Sequence, residues 1–230
     1  MSLSVGLILA AGGLGKRFGG AEPKQFADLG GQTILHRTAQ RLLERAEFNR
    51  LVVTAPRGFE GRTGFEVARL GGQFTVVTGG EERWQSVRYA LKSLGRVDMV
   101  VVHDAVRPFV TRKVLADALA AALVTGASVA AVQATDTVKL ATRLTTVKMT
   151  VDRRRVWLVQ TPQCFRYGLL RQVYDQDDGR LAGATDDAQL IEGAGRPVKL
   201  IPGHRQLFKI TTPEDLRWAE LLLNNDLVVD

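Results

Sequence analysis

Hydrophobic positions along this chain fall into short blocks of two alternating kinds. Apolar runs of strand length occur at Leu3–Leu9, Arg50–Ala55, Phe74–Val77, Met99–His103 and Ser128–Gln133. Between them lie segments with helical spacing. Ile34–Ala46 sets Ile34, Leu35, Thr38, Leu42 and Leu43 on one face, Glu82–Leu94 is closed by Gly95, and the alanine-rich Arg112–Thr125 is closed by Gly126. Met99–His103 is nearly all valine, as expected of a central strand buried on both faces. The alternation predicts an α/β fold, a mostly parallel twisted sheet with helices on both faces joined by right-handed crossovers.

The rhythm breaks at Asp136. Thr137–Val151 is rich in β-branched residues, lacks glycine and proline, and alternates with period two. It reads as two strands of an extended arm with a turn near Arg143–Thr145. A lone two-stranded ribbon is marginal in water, so the arm needs something to pack on, and a second subunit is the natural candidate. Beyond it, strands are expected at Trp157–Gln160, Val198–Ile201 and Phe208–Ile210, and helices near Tyr167–Tyr174 and after Thr185. The last helix opens with Thr212 as N-cap and Pro213 at its first position. No repeat or linker interrupts the chain, so residues 1–230 read as one domain with the arm, 136–155, inserted in it.

Composition narrows the function. With 230 residues, 45% hydrophobic and 24% charged, the chain has the makeup of an ordinary globular protein. No apolar stretch has the length of a membrane span, and the N-terminus lacks the basic region of a signal peptide. One cysteine, Cys164, fits a reducing cytoplasm. The three histidines are far apart, which leaves no zinc pattern. The net charge of +7 suits either nucleic acid or small polyanions. The basic residues are dispersed except at Arg153-Arg154-Arg155, and no nucleic-acid-binding motif is present, so a basic nucleic-acid module is the weaker reading.

Candidate chemistry gathers at strand ends. Ala10-Ala11-Gly12-Gly13-Leu14-Gly15-Lys16-Arg17 leaves the first strand and is followed by Pro23-Lys24-Gln25. Glycines let backbone N–H groups approach an anion, and Arg17 and Lys24 supply neutralising charge. A dinucleotide fingerprint fails, because Phe18 stands where the third glycine belongs, and no Gly-Lys-Ser/Thr of a P-loop follows. Gly79-Gly80-Glu81-Glu82 after the third strand offers backbone to read a base, with Ser86 in the next helical turn. His103-Asp104-Ala105-Val106-Arg107-Pro108 ends the valine strand and puts a carboxylate at the ligand face, placed for a ribose hydroxyl, a substrate or Mg²⁺. At least one of Arg153, Arg154 and Arg155 suits bidentate phosphate binding, with the others solvated, and Lys209 lies among apolar residues with its side chain either in solvent or toward a cleft. There is no nucleophile signature, so the pattern fits phosphoryl or nucleotidyl transfer by positioning and charge neutralisation.

Taken together these motifs resemble the 2-C-methyl-D-erythritol 4-phosphate cytidylyltransferase family. The resemblance runs through Ala10–Gly12, Lys24-Gln25, Gly79–Ser86, His103–Pro108, Asp136-Thr137, Thr150–Arg153, Thr161-Pro162-Gln163 and Lys209–Asp215. It implies a Rossmann-like nucleotidyltransferase fold, CTP and Mg²⁺ as requirements, pyrophosphate release, and a homodimer through exchanged β-arms. It implies that Arg17, Lys24, Arg153 and Lys209 are catalytic. Ala10, Ala11, Gly12, Gly13, Gly15, Gly80, Glu81, Ser86 and Ala105 would bind nucleotide, and Asp104, Arg107, Thr137 and Thr185 the second substrate. Mg²⁺ would be held mainly by the CTP phosphates, with Asp104 as the one candidate ligand. Where the family loop usually reads Ala-Ala-Gly-x-Gly-x-Arg, this chain carries one extra residue. The chain stops soon after its last helix, so a fused cyclase domain is not expected. Ribitol 5-phosphate cytidylyltransferases share the Pro-Lys-Gln, His-Asp-x-x-Arg-Pro and Thr-Pro-Gln patterns and are the alternative; Thr150–Arg153 followed by Trp157 favours the methylerythritol enzyme.

Overall fold

The valine strand lies near the middle of a seven-stranded sheet, in a computed structural model that describes residues 3–15, 18–19, 22–176, 179 and 181–229. The elements in chain order are β1 (Val5–Ala10), a short 3-10 turn at Lys24–Phe26, α1 (Ile34–Arg45), β2 (Arg50–Ala55), α2 (Glu60–Ala68), β3 (Phe74–Thr78), α3 (Arg83–Leu94), β4 (Met99–Asp104), α4 (Arg112–Thr125) and β5 (Ala127–Gln133). Then come the arm strands β6 (Val138–Ala141) and β7 (Val147–Val151), followed by β8 (Trp157–Arg166), α5 (Tyr167–Asp175), α6 (Asp187–Gly193), β9 (Lys199–Pro202) and α7 (Pro213–Asn224). The sheet order is β3-β2-β1-β4-β8-β5-β9. Its first four strands are parallel, β8 runs antiparallel to both β4 and β5, and β9 is parallel to β5.

Alternation along the strands divides the core. Leu7 and Leu9 of β1 face α1, α2 and α4 through Leu35, Leu42, Val67 and Leu115. Ile8 faces the other layer, with Val87 and Leu91 of α3, Leu170 of α5 and Ile191 of α6. Burying side chains on both faces is what the near-continuous apolar runs require. Helix starts are chemically marked: Thr33, Thr111 and Thr212 each accept a backbone N–H of their helix, and Pro213 opens α7. Gly126 ends α4 in the left-handed region, at φ 93°.

Four expectations change. β1 begins at Val5 rather than Leu3. Phe208–Ile210 is no strand of the sheet; Ile210 N–H donates to Val106 O and ties the segment to the end of β4 instead. The strand expected to stop at Gln160 continues to Arg166. The pairing with β5 passes from Val129 opposite Gln163 to Ala131 opposite Val159, so residues 160–162 fall in an irregularity that absorbs Pro162, which cannot donate. α2 has no counterpart in the sequence reading, since Gly61 and Gly64 lie within it and dilute its helical signal.

The arm folds as expected. Val138 pairs with Val151 and Leu140 with Met149, and the turn centres on Thr145, whose φ is 57°. Val138, Leu140, Met149 and Val151 share one face; Lys139 and Thr150 lie on the other, where Lys139 Nζ donates to Thr150 Oγ1 at 2.7 Å. The apolar face is largely uncovered, with Leu140, Val147 and Met149 all exposed.

Candidate active site

In the order β3-β2-β1-β4 the chain lays strands outward from β1 and then returns to its other side, so the sheet changes direction between β1 and β4. Open α/β sheets bind ligands at such a switch point, outside the carboxyl ends of the strands. Here Ala10 and Asp104 are paired neighbours at those ends, and Ala105 N–H donates to Ala10 O at 3.0 Å. A cleft of about 280 Å³ opens above them. Its walls include Ala10–Gly13, Gly15, Lys24, Gln25, Gly80–Arg83, Ser86, Asp104 and Lys209.

Two glycine loops form one wall by touching. A Cβ on Gly12 would come within 2.8 Å of Ser86 Oγ, and one on Gly79 within 2.8 Å of Gly12 Cα. Only glycine lets both loops close on one another. Gln25, 2% exposed, holds the first loop from below. Its side-chain amide donates to Ala11 O at 2.6 Å and Gly13 O at 3.0 Å. Thr54 Oγ1 accepts from Ala11 N–H at 2.8 Å. The N–H groups of Gly12, Gly13, Leu14 and Gly15 have no hydrogen-bond partner among the described residues, which leaves a run of donors for an anion. In the second loop Ser86 Oγ accepts from Gly80 N–H at 3.0 Å. A capping box between Glu82 and Gln85 starts α3 there.

The far wall is electrostatic. Asp104 is 5% exposed and has three cations around it. Arg83 Nε lies 3.4 Å from Oδ1, while Arg107 Nε at 3.3 Å and Lys209 Nζ at 3.1 Å face Oδ2. Burial by itself would raise the carboxyl's pKa, but Lys209, Arg83 and Arg107 together hold it well below the usual carboxylate range. Lys24 Nζ donates to Ile210 O at 2.9 Å, so the lysines of two separate motifs share this wall. His103 is fully buried, its ring bonded to Thr161 Oγ1 and Arg107 O, and burial lowers its pKa to about 4. It is a neutral structural histidine.

The expected residues therefore separate. Ala10, Ala11, Gly12, Gly13, Gly15, Lys24, Gly80, Glu81, Ser86, Asp104 and Lys209 line the cleft. Ala105 and Arg107 do not line it: Ala105 lies fully buried beneath, its carbonyl accepting from Thr38, and Arg107 reaches Leu207 O while bracing Asp104. Thr137 and Arg153 are exposed at the base of the arm, and Thr185 is exposed with its hydroxyl on Gln189. Arg17 lies outside the described residues. Arg83 and Gln25 line the cleft without having been assigned a role from sequence. Arg83 carried a signal: a cation in the first turn of a helix opposes the helix dipole and needs a carboxylate partner.

No group of three or more His, Cys, Asp or Glu side chains among the described residues could hold a metal. Asp104, the only candidate ligand from sequence, has both oxygens facing cations, an environment that disfavours direct contact with a divalent ion.

A glycine-loop anion site at the switch point, facing lysines across a nucleotide-sized cleft, defines an α/β protein of the nucleotidyltransferase class. The profile of the 2-C-methyl-D-erythritol 4-phosphate cytidylyltransferase (IspD) family matches residues 5–225, and the chain belongs to that family. It is 43% identical over 222 residues to the bifunctional enzyme IspD/IspF of Anaeromyxobacter sp. (strain Fw109-5), covering 95% of this chain and 57% of that protein. The chain thus spans little more than half of that relative. It is 38% identical over 236 residues to the 2-C-methyl-D-erythritol 4-phosphate cytidylyltransferase of Syntrophus aciditrophicus, with 98% of each covered. Among solved structures, the same-named enzyme of Thermus thermophilus superposes with a TM-score of 0.76 at 33% identity, over 97% of this chain and 100% of that one.

Proposed function

We propose that this chain transfers the cytidylyl group of CTP to 2-C-methyl-D-erythritol 4-phosphate, releasing pyrophosphate, as a step of isoprenoid precursor synthesis. The observation that carries the reading is the meeting of the glycine-loop amides, Lys24 and Lys209 at one switch-point cleft. CTP lies with its phosphates over Gly12–Gly15 and its base toward Gly80 and Ser86. A phosphate oxygen of the acceptor attacks the α-phosphorus, the bond from that phosphorus to the bridging oxygen breaks, and pyrophosphate leaves. The attacking oxygen is already anionic, so no base is needed. Lys24 and Arg17 meet charge that grows on the transferring phosphoryl group, and Lys209 neutralises the approaching phosphate. Mg²⁺, when bound, would be held mainly by the CTP phosphates and would supply neutralisation of their charge.

The acceptor's end of the cleft is open in one chain, because Thr137 and Arg153 stand apart from it on the arm. We read the arm, 136–155, as exchanged with a second copy, so that each cleft receives these residues from its partner. The uncovered apolar face of the ribbon supports this. The rest of the chain forms the catalytic domain, at work in the cytoplasm, where its single buried thiol would remain reduced. No helix among the described residues is long and apolar enough to cross a membrane.

The test is pyrophosphate release with CTP or UTP and with methylerythritol or ribitol phosphate. A pocket that hydrogen-bonds the cytosine amino group leaves groups unpaired with UTP, so CTP is expected to be favoured by on the order of 10²-fold or more. Preference for ribitol phosphate would assign the alternative acceptor, and equal turnover of CTP and UTP would refute the base-reading role of Gly80 and Ser86.

A further inference from the structure

Behind the cleft lies a buried polar chain that the transfer chemistry does not use. Arg83 Nη1 approaches Asp187 Oδ2 at 2.7 Å, as an ion pair whose angle departs from hydrogen-bond geometry. Asp187 is 1% exposed and opens α6. Its other oxygen, Oδ1, accepts from Tyr174 Oη of α5 at 2.5 Å. The Asp187 and Ala188 N–H groups both donate to Gln163 Oε1 at 3.2 Å, and Gln163 Nε2 donates to Asp186 Oδ2 at 3.0 Å. Thus α5, α6 and β8 jointly fix one carboxylate behind Arg83. A buried charge held this closely needs its partner, and breaking such a pair from one side is costly.

The pairing has a consequence in the cleft. Arg83 is shared between two carboxylates, and Asp187 takes the nearer contact. Arg83 Nε donates to Asp104 Oδ1 over a long 3.4 Å and Nη2 has no hydrogen-bond partner among the described residues, whereas Oδ2 is approached by both Arg107 and Lys209. Without Asp187 the guanidinium would be free to turn both donors onto Asp104 in the bidentate manner it prefers.

We infer that Asp187 and Tyr174 are positioning residues which, by drawing Arg83 back, hold Oδ1 of Asp104 to one long contact and leave it able to accept a second hydrogen bond, from a hydroxyl of the polyol phosphate. This rests on the cytidylyltransferase reading above. It makes acceptor recognition depend on two side chains that never reach the cleft.

The experiment compares wild type, Asp187→Asn and Tyr174→Phe with methylerythritol phosphate and with analogues lacking one hydroxyl each. Pyrophosphate release by wild type from CTP and the natural acceptor tests the function by itself. One deoxy analogue is expected to lose about tenfold or more in kcat/KM with wild type, as for a hydrogen bond to a charged acceptor. Asp187→Asn should raise KM for the natural acceptor about tenfold, leave KM for CTP unchanged, and no longer distinguish that analogue. Tyr174→Phe, which keeps the ion pair, should move the same quantities by about two- to threefold in the same direction. It also serves if Asp187→Asn does not fold. Loss of kcat with every acceptor alike, and discrimination retained, would assign the chain a structural role and overturn the inference. So would a wild-type enzyme that is active but indifferent to every deoxy analogue.

Discussion

The cleft and the arm are built on opposite principles. The side chains at the base of the cleft are braced within the same chain: Gln25 grips the glycine loop, Thr54 fixes Ala11, and Arg83, Arg107 and Lys209 surround Asp104. The arm has a paired backbone and, among the described residues, a largely uncovered apolar face, with Leu144 at its turn 85% exposed. On the proposed reading the described part of the nucleotide side lies within one chain, while Thr137 and Arg153, assigned to the acceptor, stand out in solvent. On that reading, motifs forming one set in the sequence need not form one site in one subunit.

The sharpest way to break this contrast is to remove a cation from the complete side. Lys24→Ala should lower kcat by on the order of 10²-fold or more, because its charge meets charge developing in the transition state. Steady-state kinetics that showed a raised KM with unchanged kcat would reduce Lys24 to a binding residue.

Arg153→Ala tests the incomplete side and should cost about tenfold or more in kcat/KM as the loss of a charged phosphate contact. Mixing it with Lys24→Ala decides whose cleft Arg153 serves. If arms are exchanged, a mixed dimer has one cleft with both defects and one with neither. Random pairing makes half the dimers mixed, so activity should return to about a quarter of wild type. No recovery, with subunit exchange verified by mass spectrometry, would return Arg153 to its own chain and remove the exchanged-arm reading.

What could be read in advance divides along the same line. The sheet was readable because strands buried on both faces leave unbroken apolar runs such as Met99–His103, and because Gly95, Gly126 and Thr212-Pro213 mark helix ends by backbone chemistry. The glycine loops and Asp104 were readable because strand ends next to glycine define the ligand face of this architecture. Gln25 was not, and Arg83 signalled only the need for a carboxylate, not which one, since their roles come from partners distant in sequence: Arg83 meets Asp104, 21 residues on, and also Asp187. β8 was cut short because Pro162 signals a break that only the skipped register of β5 accommodates.

Gln25 gives an intermediate test within the complete side. Gln25→Ala removes both donors from the loop, leaving Ala11 O and Gly13 O without them, and should cost about 1–3 kcal/mol of stability. KM for CTP should rise about tenfold as the run of amides loses its alignment. Thermal unfolding and initial rates measured together separate the two effects. Stability lost with KM unchanged would make Gln25 a core residue only.

The smallest effect expected is none at all, and it is informative for that reason. Cys164 is fully buried on β8, and burial pushes its thiol far above the usual range for cysteine. At pH 8 almost none of it would be thiolate, the reactive form, even if a reagent could reach it. In the folded protein it should therefore resist thiol reagents for as long as the sheet stays intact, reacting only through unfolding. Met149→Cys places a second thiol on the arm, at a position 51% exposed in the single chain. In dilute protein it should label within minutes. In concentrated protein its rate should fall about tenfold or more, because pairing of arms covers the face that Met149 shares with Leu140. Mass mapping of the two peptides reads both thiols in one sample. An arm thiol whose rate ignores concentration would leave that face uncovered in solution. A Cys164 that kept pace with it would mean that β8 opens as readily as the arm, and the contrast between a finished cleft and an unfinished ribbon would be lost.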